Sequence, residues 1–444
     1  MLRRELRELF RLALPLAAAQ AGTQLMTVVD VAVLGRYSAR DLAAVGFGNS
    51  FFFAITVIGM GAVFGIDPLM SQAVGAGNPV RARRALWQGI WFALSVTAIL
   101  TLPLLGGAFV MRHVGVSPEM IEPGIEYLLI RTAGLAPMLV FIVIRAYLQA
   151  LSITRPMLVA MVVANIVNFF GDLVLVFGWR AIPPLGAAGA AMSTVAATLL
   201  EVAIVAWAAR SIRVESHESL RRWNTPEIRR AFKVGWPVAL QLGAEVGVFA
   251  LVGVLAARLG TVQLAAHQVV LALASFTYTM GLGVAAAGSV RVGIGVGSRS
   301  IAATRVAGQA AFIGGIAIMS VGALSFALFP RAIARLVTNE QNVINTAVPL
   351  FVIAALFQLS DGLQAVGSGV LRGAGDTHFS FVSNLIGHWI VGMPIALFLG
   401  FSRGMGIVGL WWGLCAGLTA VAVMLIYRFE RLSRSEIVPV AERH

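Results

Sequence analysis

Long apolar runs separated by short polar breaks fill this chain from end to end. The apolar positions do not alternate in twos, so the runs read as helices rather than strands. A run of about 20 residues crosses a bilayer as a helix, because the hydrocarbon core is about 30 Å thick and a helix rises about 1.5 Å per residue. Twelve such spans are predicted, at approximately 11–34, 45–69, 86–111, 125–149, 156–178, 187–209, 233–256, 264–290, 307–329, 347–370, 379–401 and 406–428. The longest charged interruption runs from Arg210 to Arg230 and contains RVESHESLRRWNTPEIRR. It divides the chain into a first lobe (1–210), a linker (211–230), a second lobe (231–430) and a tail (431–444).

Polar residues inside the runs are few and ordered. In the first span Gln20, Thr23, Thr27 and Asp30 fall at helical spacing, so one polar stripe marks an otherwise apolar helix. An acid at the bilayer centre costs about 2.5–3.5 kcal/mol on insertion scales, so this stripe is expected to face a cavity or a polar partner.

The first span returns later in the chain. Phe10 and Pro15 reappear as Phe232 and Pro237, a shift of 222 positions. The same shift, without a gap, pairs Arg36 with Arg258 and Leu42-Ala43-Ala44 with Leu264-Ala265-Ala266. It also pairs Gly59 and Gly61 with Gly281 and Gly283, Gly75 with Gly297, and Arg83 with Arg305. The chain is therefore two copies of one unit, each predicted to hold six spans. Asp30 falls on Val252, so the copies share a scaffold and differ in chemistry. An even number of spans inserts both copies in the same direction, and transporters of that design place substrate between the halves.

Composition agrees with a polytopic membrane protein of all-α class: 59% of the 444 residues are hydrophobic and 12% charged. A formal charge of +13 would suit a nucleic-acid binder. The basic residues lie almost wholly between the apolar runs, however, and most of them, from Arg3, Arg4 and Arg7 to Arg431 and Arg434, fall on the side of the N-terminus. That bias predicts cytoplasmic N- and C-termini in a cell inner membrane and leaves no call for nucleic acid. The single cysteine, Cys415, excludes an internal disulfide and a cysteine-based metal site. The N-terminal run imitates a cleaved signal, but its internal copy at Phe232 argues that both are structural.

Four acids fall well inside the predicted spans: Asp30, Asp172, Glu245 and Asp361. Asn165, Asn168 and Asp172 share one face of the fifth span. Gln241 and Glu245 lie one turn apart in the seventh, and Gln358, Asp361, Gln364 and Ser368 line one face of the tenth. A lone intramembrane amide is readily explained as a hydrogen bond between helices. Four acids in two mirrored sets point instead to ions or cationic substrates, because uncompensated acids are costly there. Such acids could trade protons with water. With amide oxygens beside them they equally suit Na⁺, with Asp30 and Asp172 as its ligands.

Other features carry less. Gly243 and Gly247 around Glu245 suit close helix packing. Pro15 and Pro237 can kink their helices and so move the stripe. His388, with Asn384 a turn before it, reads as a structural histidine, and His267 receives no role. Glu201 is ambiguous, Asp67 before Pro68 is expected at a helix end, and Arg131 and Arg145 lie close to span ends. Gly373-Ala374-Gly375-Asp376 imitates an intramembrane protease motif but follows Arg372 at a span end, near water.

These residues resemble the multidrug and toxic compound extrusion (MATE) family, its NorM-like branch best. The matching pieces are Pro15 with Asp30 and the following VLGR; Ser71-Gln72-Ala73-Val74-Gly75-Ala76-Gly77-Asn78; and Gly235-Trp236-Pro237 with Glu245. Arg258-Leu259-Gly260, Ala265-Ala266-His267-Gln268 and Leu371-Arg372-Gly373-Ala374-Gly375-Asp376-Thr377 complete the set. The resemblance covers nearly the whole chain. It implies a twelve-helix, V-shaped exporter of organic cations and amphiphilic drugs, driven by inward Na⁺ or H⁺. It also implies that Asp30, Asn168 and Asp172 form a cation site in the first lobe and that Glu245 and Asp361 are the acids of the second, and all five are expected to be cation-coupling residues. At the sixth span the family often has a threonine, and Ser193 and Thr194 both fit.

The expected function is drug/cation antiport by alternating access, by a monomer in membrane lipid, without a cofactor beyond the coupling ion. Gln20, Thr23, Thr27, Asn165, Gln241, Gln358 and Gln364 are the expected lining of the cavity. A flippase for a lipid-linked precursor is the alternative. It would need a basic cavity, whereas the charges inside these spans are chiefly acidic. An enzyme would need a catalytic cluster, and none is apparent.

Overall fold

A computed structural model describes residues 1–113, 118–215 and 219–443. Part of the predicted linker, residues 216–218, and the last residue of the predicted tail lie outside the described residues. The regular secondary structure of the described residues is helical apart from one isolated β-bridge between Trp179 and Ile182.

The helices follow the apolar runs but outreach them. They are α1 (Leu2–Tyr37), α2 (Ala39–Val63), α3 (Asp67–Gly75), α4 (Pro79–His113), α5 (Pro118–Ala133) and α6 (Leu135–Ala150). Next come α7 (Arg155–Phe177), α8 (Gly186–Ser211), α9 (Thr225–Leu259), α10 (Thr261–Gly297), α11 (Ile301–Leu328) and the short α12 (Pro330–Arg335). The last are α13 (Gln341–Ala374), α14 (Thr377–Leu385), α15 (Met393–Leu397) and α16 (Gly406–Leu432). Eleven stretches are long and apolar enough to cross a membrane, and the bent pair Ile121–Ala133 and Leu135–Ala150, with a 42° break, makes a twelfth.

Two spans are interrupted. Asp67 does lie at a helix end, the start of α3: a 3₁₀ turn at Phe64–Ile66 interrupts the second span, and Pro68 sits in the first turn of α3, where its missing N–H is harmless. In the eleventh span, π-helical turns at Ile386–Gly392 and Phe398–Ser402 flank α15. Glycines let α16 come close there. A Cβ on Gly387 would lie 2.8 Å from the Gly417 carbonyl oxygen, and one on Gly392 would lie 3.1 Å from that of Gly413.

The chain forms two compact units. One comprises Ala18–Ala239, the other Met1–Ala17 with Leu240–His444. The boundaries do not fall in the polar linker; they fall inside α1 and α9, two residues after Pro15 and after Pro237. They are also 222 positions apart, the shift of the sequence repeat. Each repeat thus gives the opening of its first helix to the unit built mainly from the other.

The contacts that fix those openings are duplicated as well. A Cβ on Gly61 would lie 2.5 Å from the Ala239 Cα, and one on Gly283, its repeat partner, would lie 2.6 Å from the Ala17 backbone nitrogen. Only a residue without a side chain allows helices to approach so closely. In the second unit Glu5 accepts two hydrogen bonds from Arg291, at 2.6 and 2.7 Å, a bidentate pairing that fixes the start of α1 against α10.

Polar connections are fastened rather than loose. In the first unit Gln88 donates to the Arg222 carbonyl at 2.8 Å and accepts from the Asn224 backbone N–H at 2.8 Å, holding the end of the linker on α4. In the second, Gly375 takes φ 75° to end α13, and the Arg443 guanidinium donates to the carbonyls of Ala374 and Gly375 at 2.8 and 2.7 Å. Asp376 of the protease-like motif pairs with Arg428 at 2.7 Å.

Candidate functional site

In the first unit, three helices bring Asp30, Asn168 and Asp172 together. Asp30 lies on α1, Asn168 and Asp172 one turn apart on α7, and α8 packs alongside. The two α7 residues are fully buried. Asn168 and Asp172 both lie within side-chain reach of the Asp30 carboxylate.

Helix α8 supplies both of its candidate hydroxyls, in different roles. Thr194 donates to Asp30 Oδ2 at 3.2 Å and lies 2.9 Å from the carbonyl oxygen of Ala190. Ser193 donates to the Asn168 backbone carbonyl at 2.7 Å and accepts from the Asn168 amide at 3.3 Å. The Asn168 amide thereby lies between Ser193 and the Asp30 carboxylate.

This arrangement is rich in acceptors and poor in donors. Asp30 Oδ1, both Asp172 oxygens and Asn168 Oδ1 are buried without a hydrogen-bond partner. Two carboxylates side by side in an apolar bundle repel unless a proton or a metal cation lies between them. The oxygens present are hard donors of the kind that hold Na⁺, and a carboxylate pair equally holds a shared proton. Among the described residues no group of three His, Cys, Asp or Glu side chains could hold a metal ion. A cation here would therefore draw on Asn168 Oδ1 and Thr194 Oγ1 beside the two acids.

The rest of the first-lobe stripe is placed differently. Thr23 and Thr27 are exposed, and their hydroxyls donate back to the carbonyls of Ala19 (3.2 Å) and Thr23 (3.5 Å). Asn165 likewise donates to its own helix, at Met161 (2.9 Å). Gln20 accepts from Arg145 at 3.2 Å, and Glu201 on α8 lies within electrostatic reach of the same arginine. Pro15 and Pro237 lie inside unbroken helices, beside the unit boundaries.

The second unit builds a different site around Glu245. Its Oε2 accepts from Gln364 on α13 at 3.3 Å and from Asn384 on α14 at 3.4 Å. Asp361, one turn before Gln364, is buried and close enough to Glu245 for the two acids to repel. Tyr278 on α10 lies within reach of both acids. His388, in the first π-helical turn, is buried near Glu245; its Nδ1 lies 3.1 Å from the Asn384 carbonyl oxygen and its Nε2 has no partner.

Not every predicted lining residue joins this cluster. Gln241 donates to Ser368 at 3.0 Å, and Gln358 donates to Thr277 and to the Ala274 carbonyl, so each ties two helices together. Asn384 and His388 enter although sequence reasoning set them aside. Their signal was present, a polar pair one turn apart in an apolar span, but the π turn that begins after Asn384 shifts the face on which His388 emerges.

Comparison with known proteins agrees with this architecture. The MatE family profile matches residues 15–174 and 237–398, once in each repeat. A probable multidrug resistance protein NorM of Rhizobium meliloti (strain 1021) is 34% identical over 433 residues, covering 95% of this chain and 92% of that protein. Multidrug resistance protein MdtK of Yersinia pseudotuberculosis is 31% identical over 450 residues, covering 99% and 98%. The eukaryotic MATE transporter AtDTX14 shares the fold at a TM-score of 0.85 and 21% identity over 98% of each chain. A MATE in complex with MaL6 does so at 0.88 and 18%, over 97% of this chain and 98% of that one. With a family match in both repeats and relatives aligned along nearly its full length, the chain belongs to the MATE family, on the branch of its NorM and MdtK relatives.

Proposed function

We propose that this protein is a multidrug efflux antiporter of the inner membrane, exporting organic cations and amphiphilic drugs against an inward-moving Na⁺ or H⁺. The observation that carries the reading is the Asp30–Asp172 pair, three of whose four carboxylate oxygens are buried without a donor, with Asn168 and Thr194 beside them. The names of the NorM and MdtK relatives support it at the level of substrate class. The distribution of arginines supports cytoplasmic termini.

The mechanism is alternating access. The inward cation binds between Asp30 and Asp172 and cancels their repulsion. It drives a conformational change only because it binds one state better than the other. Drug release follows when that state offers the drug a weaker site. Glu245 and Asp361 supply negative charge to an otherwise apolar, adaptable surface, which suits cationic amphiphiles.

Ethidium efflux from cells, with a Na⁺ gradient and with a proton gradient alone, identifies the ion. Asp30→Asn keeps the size of the side chain and removes its charge. Efflux by this variant should fall to background while the protein stays folded and inserted. Undiminished efflux would overturn the assignment.

A further inference from the structure

We propose that Arg131 is a built-in counter-cation for the Asp30–Asp172 pair, closing on the carboxylates when the coupling ion leaves and yielding to it when it returns. The inference rests on the cation site proposed above and extends it to the empty carrier. An antiporter that has released its cation keeps two bare acids in an apolar bundle, a costly state to carry through the return step. Some positive group must offset them.

Arg131 lies in the right place and is held there only loosely. It belongs to α5, one turn after Tyr127, and its charge acts on both Asp30 and Tyr127. It is half-buried, its guanidinium resting over the Phe52 ring at 4.7 Å. Its Nε is buried without a hydrogen-bond partner, and among the described residues no acid lies within ion-pair distance of it. The same wall of the first unit therefore holds an arginine short of acceptors and a carboxylate pair short of donors. A planar fork of donors suits a carboxylate pair better than a point charge does.

The backbone just after Arg131 is bent rather than continuous helix. Three residues on, Gly134 marks the 42° break between α5 and α6, and a Cβ there would sit 3.1 Å from the Arg131 carbonyl oxygen. A cation–π contact with Phe52 is weaker than a desolvated ion pair, so leaving the ring costs little. The groups facing the guanidinium are few. Asp30 comes from α1 and Tyr127 from α5 itself, while α2 supplies the uncharged Phe52; Asp172 of α7 lies beside Asp30, and the α8 hydroxyls of Ser193 and Thr194 serve Asn168 and Asp30. Glu201 of α8 belongs with Arg145 instead.

The test uses the full chain in proteoliposomes, with wild type, Arg131→Gln, Arg131→Lys and Asp30→Asn. Apparent cation affinity is read by titrating Na⁺ at fixed pH and protons in Na⁺-free buffer. Drug efflux is read separately over a single turnover and over many. Removing the competing charge should tighten cation binding in Arg131→Gln by about tenfold or more. Single-turnover drug exchange should persist, and multiple-turnover efflux should slow, because the empty carrier returns poorly. Arg131→Lys should fall between Arg131→Gln and wild type. A structural role would weaken binding and efflux together and would leave nothing tightened.

Unchanged or weaker cation binding in Arg131→Gln overturns the inference. Should that variant not fold, unchanged cation binding in Arg131→Lys does so in its place. Asp30→Asn separates the two levels of the account. If it binds the cation as wild type does, the proposed cation site itself is wrong. If it loses the cation while the Arg131 variants bind normally, the cation site stands and the counter-cation falls.

Discussion

The acid sets of the two units differ in what surrounds them. In the first, Asp30 and Asp172 face each other, and three of their four carboxylate oxygens are buried without a donor. In the second, Glu245 accepts from two amides, Gln364 and Asn384, with His388 close by. A carboxylate that accepts two hydrogen bonds is already partly satisfied, whereas a donor-poor pair waits for a cation. On the proposed function, we place the coupling ion at the first set and recognition of charged drugs at the second. The repeat makes this division sharper, because Glu245 falls on Thr23 of the first copy and Asp30 falls on Val252 of the second. The two acids therefore occupy non-equivalent positions on a shared scaffold.

Charge-neutral variants of the two sets should therefore fail in different ways. Asp30→Asn, with the largest effect, should stop efflux of every substrate. Glu245→Gln should lower efflux of cationic drugs by roughly tenfold, the loss of one favourable charge interaction, and spare neutral amphiphiles. Measuring both classes of drug with both variants would break the comparison if the two patterns were alike.

The scaffold, unlike the acids, should respond symmetrically. Gly61 and Gly283 occupy equivalent positions and each abuts backbone, at Ala239 and at Ala17. Replacing either with Ala should overpack its helix crossing by about 1–3 kcal/mol. Thermal unfolding in detergent should show similar losses, a few degrees in Tm for each variant. A large loss for one and none for the other would mean that the exchanged helix openings are not equivalent.

Much of this architecture is legible in the residues themselves. Apolar runs of membrane length gave the spans, and an ungapped shift of 222 gave the repeat, which later coincided with both unit boundaries. Helical spacing placed Asn168 and Asp172 on one face, and both are buried. The same spacing placed Asn165 with them, but an amide one turn away can satisfy itself on its own helix, as Asn165 does at Met161. His388 sits in a π-helical turn that begins after Asn384, where spacing rules that assume 3.6 residues per turn fail. Arg131 read as the edge of a span, since nothing in a single sequence announces a 42° break at Gly134. Which of Ser193 and Thr194 faces Asp30 depends on helix rotation, and both turned out to take part.

The most direct measurement is cation release evoked by drug from the purified protein, followed with a pH indicator in Na⁺-free buffer and with radioactive Na⁺ at fixed pH. Wild type should release a cation on drug addition, Glu245→Gln should do so at higher drug concentration, and Asp172→Asn should release none. Release from Asp172→Asn at the wild-type level would place the coupling ion elsewhere and contradict the account.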